Sequence, residues 1–164
     1  MITPDSVGFE VAVLAERRPS SSPWAEWSWR VVDVIETAPD LPPWTRLREQ
    51  DGATLFLAGR AQVWLHPTDT DNYRHNLESR SARIWVVLRP VEAEPGMALH
   101  CVTVDAGEAQ NYGDSGADLL ESLPLPAFLL EPVLAFVAQH HRDRTFHKRK
   151  RDRANPEPAG RRGP

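Results

Sequence analysis

The chain has 164 residues, a formal net charge of −4, 41% hydrophobic residues and one cysteine. This length favours a single domain that can bury a core without disulfide bonds, and the lone Cys101 excludes an internal disulfide and a multi-cysteine zinc site. The chain shows no signal-peptide pattern and no apolar run near the roughly 20 residues that span a bilayer. We therefore expect a cytoplasmic protein without a membrane partner.

Charge is divided unevenly along the chain. Residues 1–140 contain ten Arg, no Lys and 20 acidic residues, a net charge of −10, whereas residues 141–164 contain nine Lys or Arg and three acidic residues, a net charge of +6. The last segment has no aliphatic side chain larger than Ala, so it buries too little apolar surface to offset its ordering entropy. We predict one acidic domain over residues 1–141 and a basic, largely disordered tail over residues 142–164.

The first half of the chain is typical of strands. Alternating apolar residues predict a strand over 7–15, and a second strand over 30–35 follows a tryptophan-rich stretch. A proline-rich connection occupies 37–52. Residues 53–65 then predict one long strand with a bulge at Ala58-Gly59.

The second half of the chain mixes helices with strands. Acidic residues near residue 69 predict a helix that ends near Glu78, and strands follow over 82–89 and 97–104. A short helix is predicted over 105–114. A longer helix is predicted over 127–141, with a kink or restart at Pro132. This order predicts an α+β fold: a curved, mainly antiparallel sheet of about five strands with two or three helices packed on one face.

The tryptophan cluster Trp24, Trp27 and Trp29 has two interpretations. A Trp side chain combines a large apolar area with one hydrogen-bond donor, which suits a binding surface. Trp is also highly buried on average, so a loop pinned to the sheet is the more frequent outcome. An exposed Trp24 would favour the binding surface.

The sequence contains no pattern that specifies a catalytic or metal site. Asp71 and His75 share a helix face, but zinc sites need three or four converging ligands. Ser115 does not match the nucleophile-elbow pattern, Cys101 has no neighbouring base, and glycine-rich nucleotide motifs are absent. The sequence thus favours a protein without enzymatic activity, and we expect no bound metal and no cofactor.

A basic run near the C-terminus is the strongest charge signal. Such a run binds phosphates or acidic protein faces, or it only aids solubility. Its candidate contact residues are His147, Lys148, Arg149, Lys150, Arg151 and Arg153. Nucleic-acid association through this run stays open as an alternative, although the acidic body would repel a duplex.

Several motifs resemble those of a proteobacterial domain family of uncharacterised function. The matching segments include Glu16-Arg17-Arg18-Pro19, Pro23-Trp24, Trp29-Arg30-Val31-Val32, Tyr73-Arg74, Asn76-Leu77-Glu78-Ser79, Val86-Val87-Leu88-Arg89, Asp114-Ser115-Gly116 and the basic run 147–153. The genes of this family lie beside those of molybdenum-dependent formate dehydrogenase, and some members carry the label "molybdopterin-guanine dinucleotide biosynthesis protein A".

The resemblance implies a non-catalytic accessory or binding protein that matures or regulates a molybdenum-dependent formate dehydrogenase. Its partner would be a formate dehydrogenase subunit or a maturation factor of that enzyme. The candidate interaction surface consists of Arg17, Arg18, Trp24, Trp29, Tyr73, Arg74 and Asn76.

An alternative function is binding, or transfer, of a molybdopterin or guanine-nucleotide cofactor. The resemblance alone implies molybdopterin guanine dinucleotide as the candidate ligand. The phosphates of this ligand would be contacted by bidentate guanidinium groups. The candidates for these contacts are Arg17, Arg18, Arg74 and Arg89.

Overall fold

Seven strands and three helices make up residues 2–143, the part of the chain that this computed structural model describes. The strands are β1 (Val7–Pro19), β2 (Trp27–Ile35), β3 (Thr45–Gln50), β4 (Ala53–Leu65), β5 (Arg83–Pro90), β6 (Met97–Thr103) and β7 (Leu119–Pro124). The helices are α1 (Thr70–Glu78), α2 (Ala106–Ser115) and α3 (Ala127–His140).

The strands form two antiparallel sheets, and the predicted α+β class is confirmed. The first sheet has the order β2-β1-β4-β3, and the second has the order β6-β5-β7. The structure has seven strands in two sheets, whereas about five strands in one sheet were predicted. The two strands that the sequence does not mark, β3 and β7, are both edge strands. β3 buries almost nothing, so it carries no alternation of apolar and polar residues.

The predicted bulge in β4 is confirmed. Val13 of β1 pairs with Gly59, whereas the next residue, Leu14, pairs with Leu57, so Ala58 is the extra residue. Gly59 has a φ of 152°, which a residue without a Cβ adopts readily. The bulge lies midway along the pairing of β1 with β4 and separates it into two halves with different registers.

One hydrophobic core joins both sheets to the helices. Val13, Val63 and Ile84 are fully buried on the strands, and Tyr73 of α1 and Phe136 of α3 pack into the same cluster. α3 continues through Pro132 as one helix, so the predicted restart does not occur. The two sheets together enclose this core, because β4 lies against β6 and β2 lies against β7.

The predicted boundary between an acidic domain and a basic tail stays a prediction. Residues 144–164, which include nearly all of the tail, lie outside the described residues. No helix within residues 2–143 is long and apolar enough to cross a membrane.

Candidate functional site

Five arginines lie at one end of the first sheet, where β1 ends and β2 and β4 begin. This end, which we call the arginine end, comprises Arg17, Arg18, Arg30, Arg46 and Arg48. It contains half of the ten arginines of residues 1–140, where acidic residues are twice as numerous as arginines. The same end also carries Glu16, Glu49 and Asp51, so it is arginine-rich but not free of acidic side chains.

Arg17 is buried among aromatic rings at this end. Its residue surface is only 7% exposed, and its guanidinium carbon Cζ lies 4.0 Å from the ring centroid of Trp27 and 5.2 Å from that of Phe56. Strand alternation explains the placement, because Arg17 points to the same face of β1 as the buried Ala15. Contacts between a guanidinium and ring faces stabilise the charge by about 0.5–2 kcal/mol.

The charge of Arg17 has no polar partner in the described part of the chain. Its Nε is the one fully buried side-chain nitrogen or oxygen there that makes no hydrogen bond. No carboxylate of residues 2–143 forms an ion pair with it. Buried charges in proteins are normally paired, so this exception marks Arg17 as a candidate binding residue.

An open cleft of about 480 Å³ lies beside Arg17. Its lining includes Trp27, Arg46, Glu49 and Asp51. Arg46 Nη1 donates a hydrogen bond of 2.9 Å to Glu49 Oε1, and both side chains are exposed. The cleft therefore combines an unpaired buried cation with an ion pair and an aromatic wall.

The opposite face of the same strands has a different arrangement. Glu16 Oε1 accepts hydrogen bonds from Arg18 Nε at 2.7 Å and from Arg30 Nη2 at 3.3 Å. The hydrogen bond from Arg18, together with the positive charges of Arg18 and Arg30, lowers the pKa of Glu16 below its ordinary value. Arg18 is thus paired, unlike its neighbour Arg17.

Trp24 projects into solvent from the loop between β1 and β2. Its surface is 92% exposed. The loop is ordered by hydrogen bonds, because Trp24 N donates to Ser22 Oγ at 3.2 Å and Ser20 N donates to Glu26 O at 2.9 Å. The tryptophan cluster therefore divides: Trp24 is exposed, whereas Trp29 packs 5.6 Å from the ring of Phe56.

The other predicted surface residues lie at the far end of β1. Val7 pairs with Leu65, the last residue of β4 before α1, whereas Arg17 pairs with Thr54 at the opposite end of the ladder. The separation along β1 is about 33 Å at roughly 3.3 Å per residue. The structure thus brings Arg17, Arg18, Trp24 and Trp29 together but places Tyr73, Arg74 and Asn76 elsewhere.

Tyr73 and Asn76 have structural contacts. The hydroxyl of Tyr73 accepts a hydrogen bond of 2.8 Å from His66 N, and burial raises the pKa of Tyr73 well above its ordinary value. Asn76 Nδ2 donates to the carbonyls of Arg83 and Val104 at 2.7 and 3.0 Å, and its Oδ1 accepts from Arg83 N. Asn76 thus joins α1 to the second sheet, and Tyr73 joins it to the residue that follows β4 of the first sheet.

Two of the arginines that were expected to contact a phosphate group are instead paired with carboxylates. Arg74 is exposed and pairs with Glu78 at 2.8 Å and with Asp143 at 3.0 Å. Arg89 Nε and Nη2 donate to the two carboxylate oxygens of Asp118 at 2.9 and 3.0 Å. Only Arg17 of the four candidates is unpaired beside a cleft.

Residues 10–150 match the family described as protein of unknown function (DUF3305). The chain belongs to this family. The resemblance to an uncharacterised family is therefore confirmed. No curated protein and no solved structure matches the chain.

The DUF3305 match contains the whole arginine end, including the cleft beside Arg17. It also contains the basic run as far as Lys150, whereas Arg151 and Arg153 lie beyond it. All the candidate tail contacts, from His147 to Arg153, lie outside the described residues.

The remaining polar candidates in this DUF3305 member, Cys101, Ser115, Asp71 and His75, do not converge on one another. Burial, together with the negative charge of Glu108, whose Oε1 lies 3.5 Å from the sulfur, raises the pKa of the Cys101 thiol to about 12. Ser115 Oγ donates to the carbonyl of Tyr112 at the end of α2. Within residues 2–143 no three His, Cys, Asp or Glu side chains converge as metal ligands, so Asp71 and His75 have no third partner.

Sequence reasoning missed Arg46, Glu49 and Asp51, which line the cleft. The signal that could have found them is the dipeptide Asp51-Gly52, which is typical of a two-residue hairpin turn. Both residues have positive φ, 53° and 79°, and Gln50 pairs with Ala53 across the turn. This hairpin brings β3 and its charged side chains alongside β4 and hence to the cleft.

Proposed function

We propose that this protein is a non-catalytic binding protein that acts in the maturation or regulation of a molybdenum-dependent formate dehydrogenase. The single observation that carries the proposal is the 92% exposure of Trp24 on an ordered loop. The arginine end lies beside this loop. Exposed aromatic residues and arginines are the side chains that contribute most to protein interfaces.

The choice of partner rests on the family resemblance. The Arg17-Arg18 and Trp24 motifs that support the resemblance lie at the arginine end. A formate dehydrogenase subunit, or a maturation factor of that enzyme, is therefore the proposed partner. An acidic patch on that partner would complement the arginines and steer the encounter.

Size-exclusion chromatography of the protein mixed with the catalytic subunit of a molybdenum-dependent formate dehydrogenase tests the proposal. We expect co-migration of the wild-type protein, and its loss in Trp24→Ala, because truncating a central interface Trp costs about 2 kcal/mol or more. Leu134→Ala is the matched control, since Leu134 is 48% exposed on α3, away from the arginine end. Failure to co-migrate both with and without the molybdenum cofactor would reject the proposal.

The second candidate function is binding, or transfer, of a molybdopterin or guanine-nucleotide cofactor. The observation that favours it is the unpaired guanidinium of Arg17 beside the cleft. The fit to a dinucleotide is incomplete, because Arg74 and Arg89 are paired with carboxylates. A ligand that binds only the folded state raises the Tm, so an unchanged Tm with molybdopterin guanine dinucleotide, GTP and GMP would reject this function.

Nucleic-acid association through the basic run is a third candidate from the sequence. It predicts binding that is lost when residues 142–164 are deleted and that falls steeply with salt concentration. A fluorescence-anisotropy titration of a labelled duplex at two salt concentrations measures both effects. Binding that survives the deletion would contradict this candidate.

A further inference from the structure

We propose that the cleft beside Arg17 binds a carboxylate that is attached to an apolar group. This inference goes beyond partner binding through Trp24 and does not depend on it. Its starting point is a guanidinium that is buried, enclosed by rings and left without an ion pair in residues 2–143. Leaving a buried charge unpaired destabilises the folded state unless another group compensates it.

The aromatic rings around Arg17 compensate only part of this cost. Trp27 and Phe56 interact with the faces of the guanidinium, but a ring is no substitute for an oxygen acceptor. Only Nε of Arg17 is both fully buried and unbonded, so its terminal nitrogens keep some surface access, and Arg17 is part of the cleft lining. The edge of a guanidinium matches the two oxygens of a carboxylate in one plane.

The charges that line the cleft favour a singly charged ligand. Arg17 and Arg46 are opposed by Glu49 and Asp51, and Arg46 is already paired with Glu49. The four charges of the lining sum to zero, so a polyphosphate would place several negative charges beside two carboxylates, whereas one carboxylate adds a single negative charge and pairs with Arg17. We therefore assign the site to a monoanion.

The lining of the cleft also favours an apolar body on the ligand. Trp27 and Pro19 form part of its wall, and the ring of Trp27 lies directly against the guanidinium of Arg17. A carboxylate bound at Arg17 would place its substituent near these apolar surfaces. Benzoate represents a small ligand of this class, and N-acetylphenylalanine represents the C-terminal residue of a peptide.

Nuclear magnetic resonance of the ¹⁵N-labelled full chain tests the site directly. The Arg17 Nε–H and the Trp27 indole N–H signals are followed while benzoate, N-acetylphenylalanine, benzamide or inorganic phosphate is added. We expect saturable shifts of both signals with the carboxylates and none with the neutral benzamide. The tighter of the two carboxylates identifies whether a small molecule or a peptide terminus is the better ligand.

Three variants connect the shifts to Arg17. Arg17→Met should weaken benzoate binding by about tenfold or more, which is the loss of one charge-assisted hydrogen bond. Arg17→Lys keeps the charge without the planar fork, so it should also weaken binding, and it replaces the Met variant if that variant does not fold. Arg18→Met is the matched control on the opposite face and should bind benzoate like the wild-type protein.

Other outcomes would overturn the assignment. These are the absence of a saturable shift below roughly 50 mM benzoate, equal binding of benzamide, binding of phosphate at least as tight as that of benzoate, or unchanged affinity in Arg17→Lys. Trp24→Ala should bind benzoate normally. Trp24→Ala therefore tests the formate dehydrogenase interaction, and the Arg17 variants test ligand binding in the cleft, so failure of one proposal is distinguished from failure of the other.

Discussion

Arg17 is a buried charged side chain without an ion pair, in a domain whose other buried positions are mostly apolar. Strand alternation places it on the inward face of β1, where apolar residues are expected, and only aromatic rings surround its charge. Residues at binding sites often retain such locally unfavourable arrangements because the ligand supplies the missing partner. The stability of a variant at this position is therefore informative.

We expect Arg17→Met to lower the free energy of unfolding by no more than about 1 kcal/mol. The methionine loses the cation–π contacts of Arg17, but it also removes an uncompensated buried charge, and the two effects are opposite in sign. Urea unfolding followed by circular dichroism measures the difference. Asn76→Ala is the comparison, and it should cost about 2–4 kcal/mol because it leaves the Arg83 N–H and the Val104 carbonyl without their partner.

A loss of more than about 2 kcal/mol in Arg17→Met would mean that Arg17 contributes mainly to the packing of the aromatic cluster. The rings concerned are Trp27, Trp29 and Phe56. That result would remove the energetic argument for a missing ligand. A small change would leave the residue free for a role in binding.

The β3–β4 hairpin is the structural unit that completes the candidate site. Asp51 and Gly52 both have positive φ, the conformation of a tight turn whose twist matches the flanking strands. Because the turn has only two residues, it sets the pairing of Glu49 with Thr54. An irregularity at Leu47 then shifts the register by one residue and places Arg46 opposite Phe56. The positions of the charged groups at the cleft therefore depend on this turn.

We expect Gly52→Val to destabilise the protein by about 1–2 kcal/mol, since a β-branched residue is strained at a φ of 79°. Gly52→Asn is the matched control, because Asn tolerates positive φ and should cost less. Thermal unfolding compares the two variants. Equal losses would show that the side chain, rather than the backbone conformation, determines the effect.

A partly buried ion pair beside the second sheet gives the fold a dependence on pH. Asp118, whose side chain is 3% exposed, accepts both hydrogen bonds from Arg89 of β5, and these bonds lower the pKa of Asp118 below its ordinary value near 3.8. A carboxylate with a lowered pKa stabilises the folded state above its ordinary pKa, and this contribution is lost as the pH falls through the lowered value.

We therefore expect Asp118→Asn to be less stable than the wild-type protein at pH 7, with a difference that narrows below about pH 4. Urea unfolding at several pH values measures it. Asp114→Asn is the matched control, since Asp114 is exposed at the end of α2. A difference that stays constant down to pH 2 would contradict the assigned ion pair.

The charge distribution describes the molecule as a whole. The acidic body has a net charge of −10 over residues 1–140, yet five arginines gather at one end of the first sheet, and the chain ends in a basic segment. Two separate arginine-rich regions are thus candidates for contact with an acidic partner. The structure gives the positions and partners of the side chains in the first region. The second region lies outside the described residues, so its role stays a prediction from the sequence.

We expect truncation after Arg153 to leave partner binding unchanged and truncation before Phe146 to weaken it. The reason is that the basic charges of the family motif lie between these positions. Co-migration of both truncated chains with the formate dehydrogenase catalytic subunit is the measurement. Equal binding by both would place the contact in the body of the protein.

Much of the fold was predictable because most strands and helices alternate between apolar and polar residues with a regular period. β1, β2, β4, β5 and β6 carry such a pattern, and so do the helices, whose caps and prolines mark their ends. The bulge at Gly59 was predictable from a glycine within an extended run. β3 escaped prediction because an exposed edge strand needs no apolar stripe. β7 escaped prediction because it is short and continues directly into a proline-rich stretch, although Leu119 and Leu123 pack against the core.

The amino-acid sequence alone determines the α+β class, the family and the uneven distribution of charge, because each depends on composition or local pattern. Only the tertiary structure decides which arginines are paired with carboxylates and which are not. Arg17 and Arg18 are adjacent in the sequence, yet one lies unpaired beside a cleft and the other is bound to Glu16. Strand alternation sends them to opposite faces of the sheet, and the neighbouring strands then determine their partners.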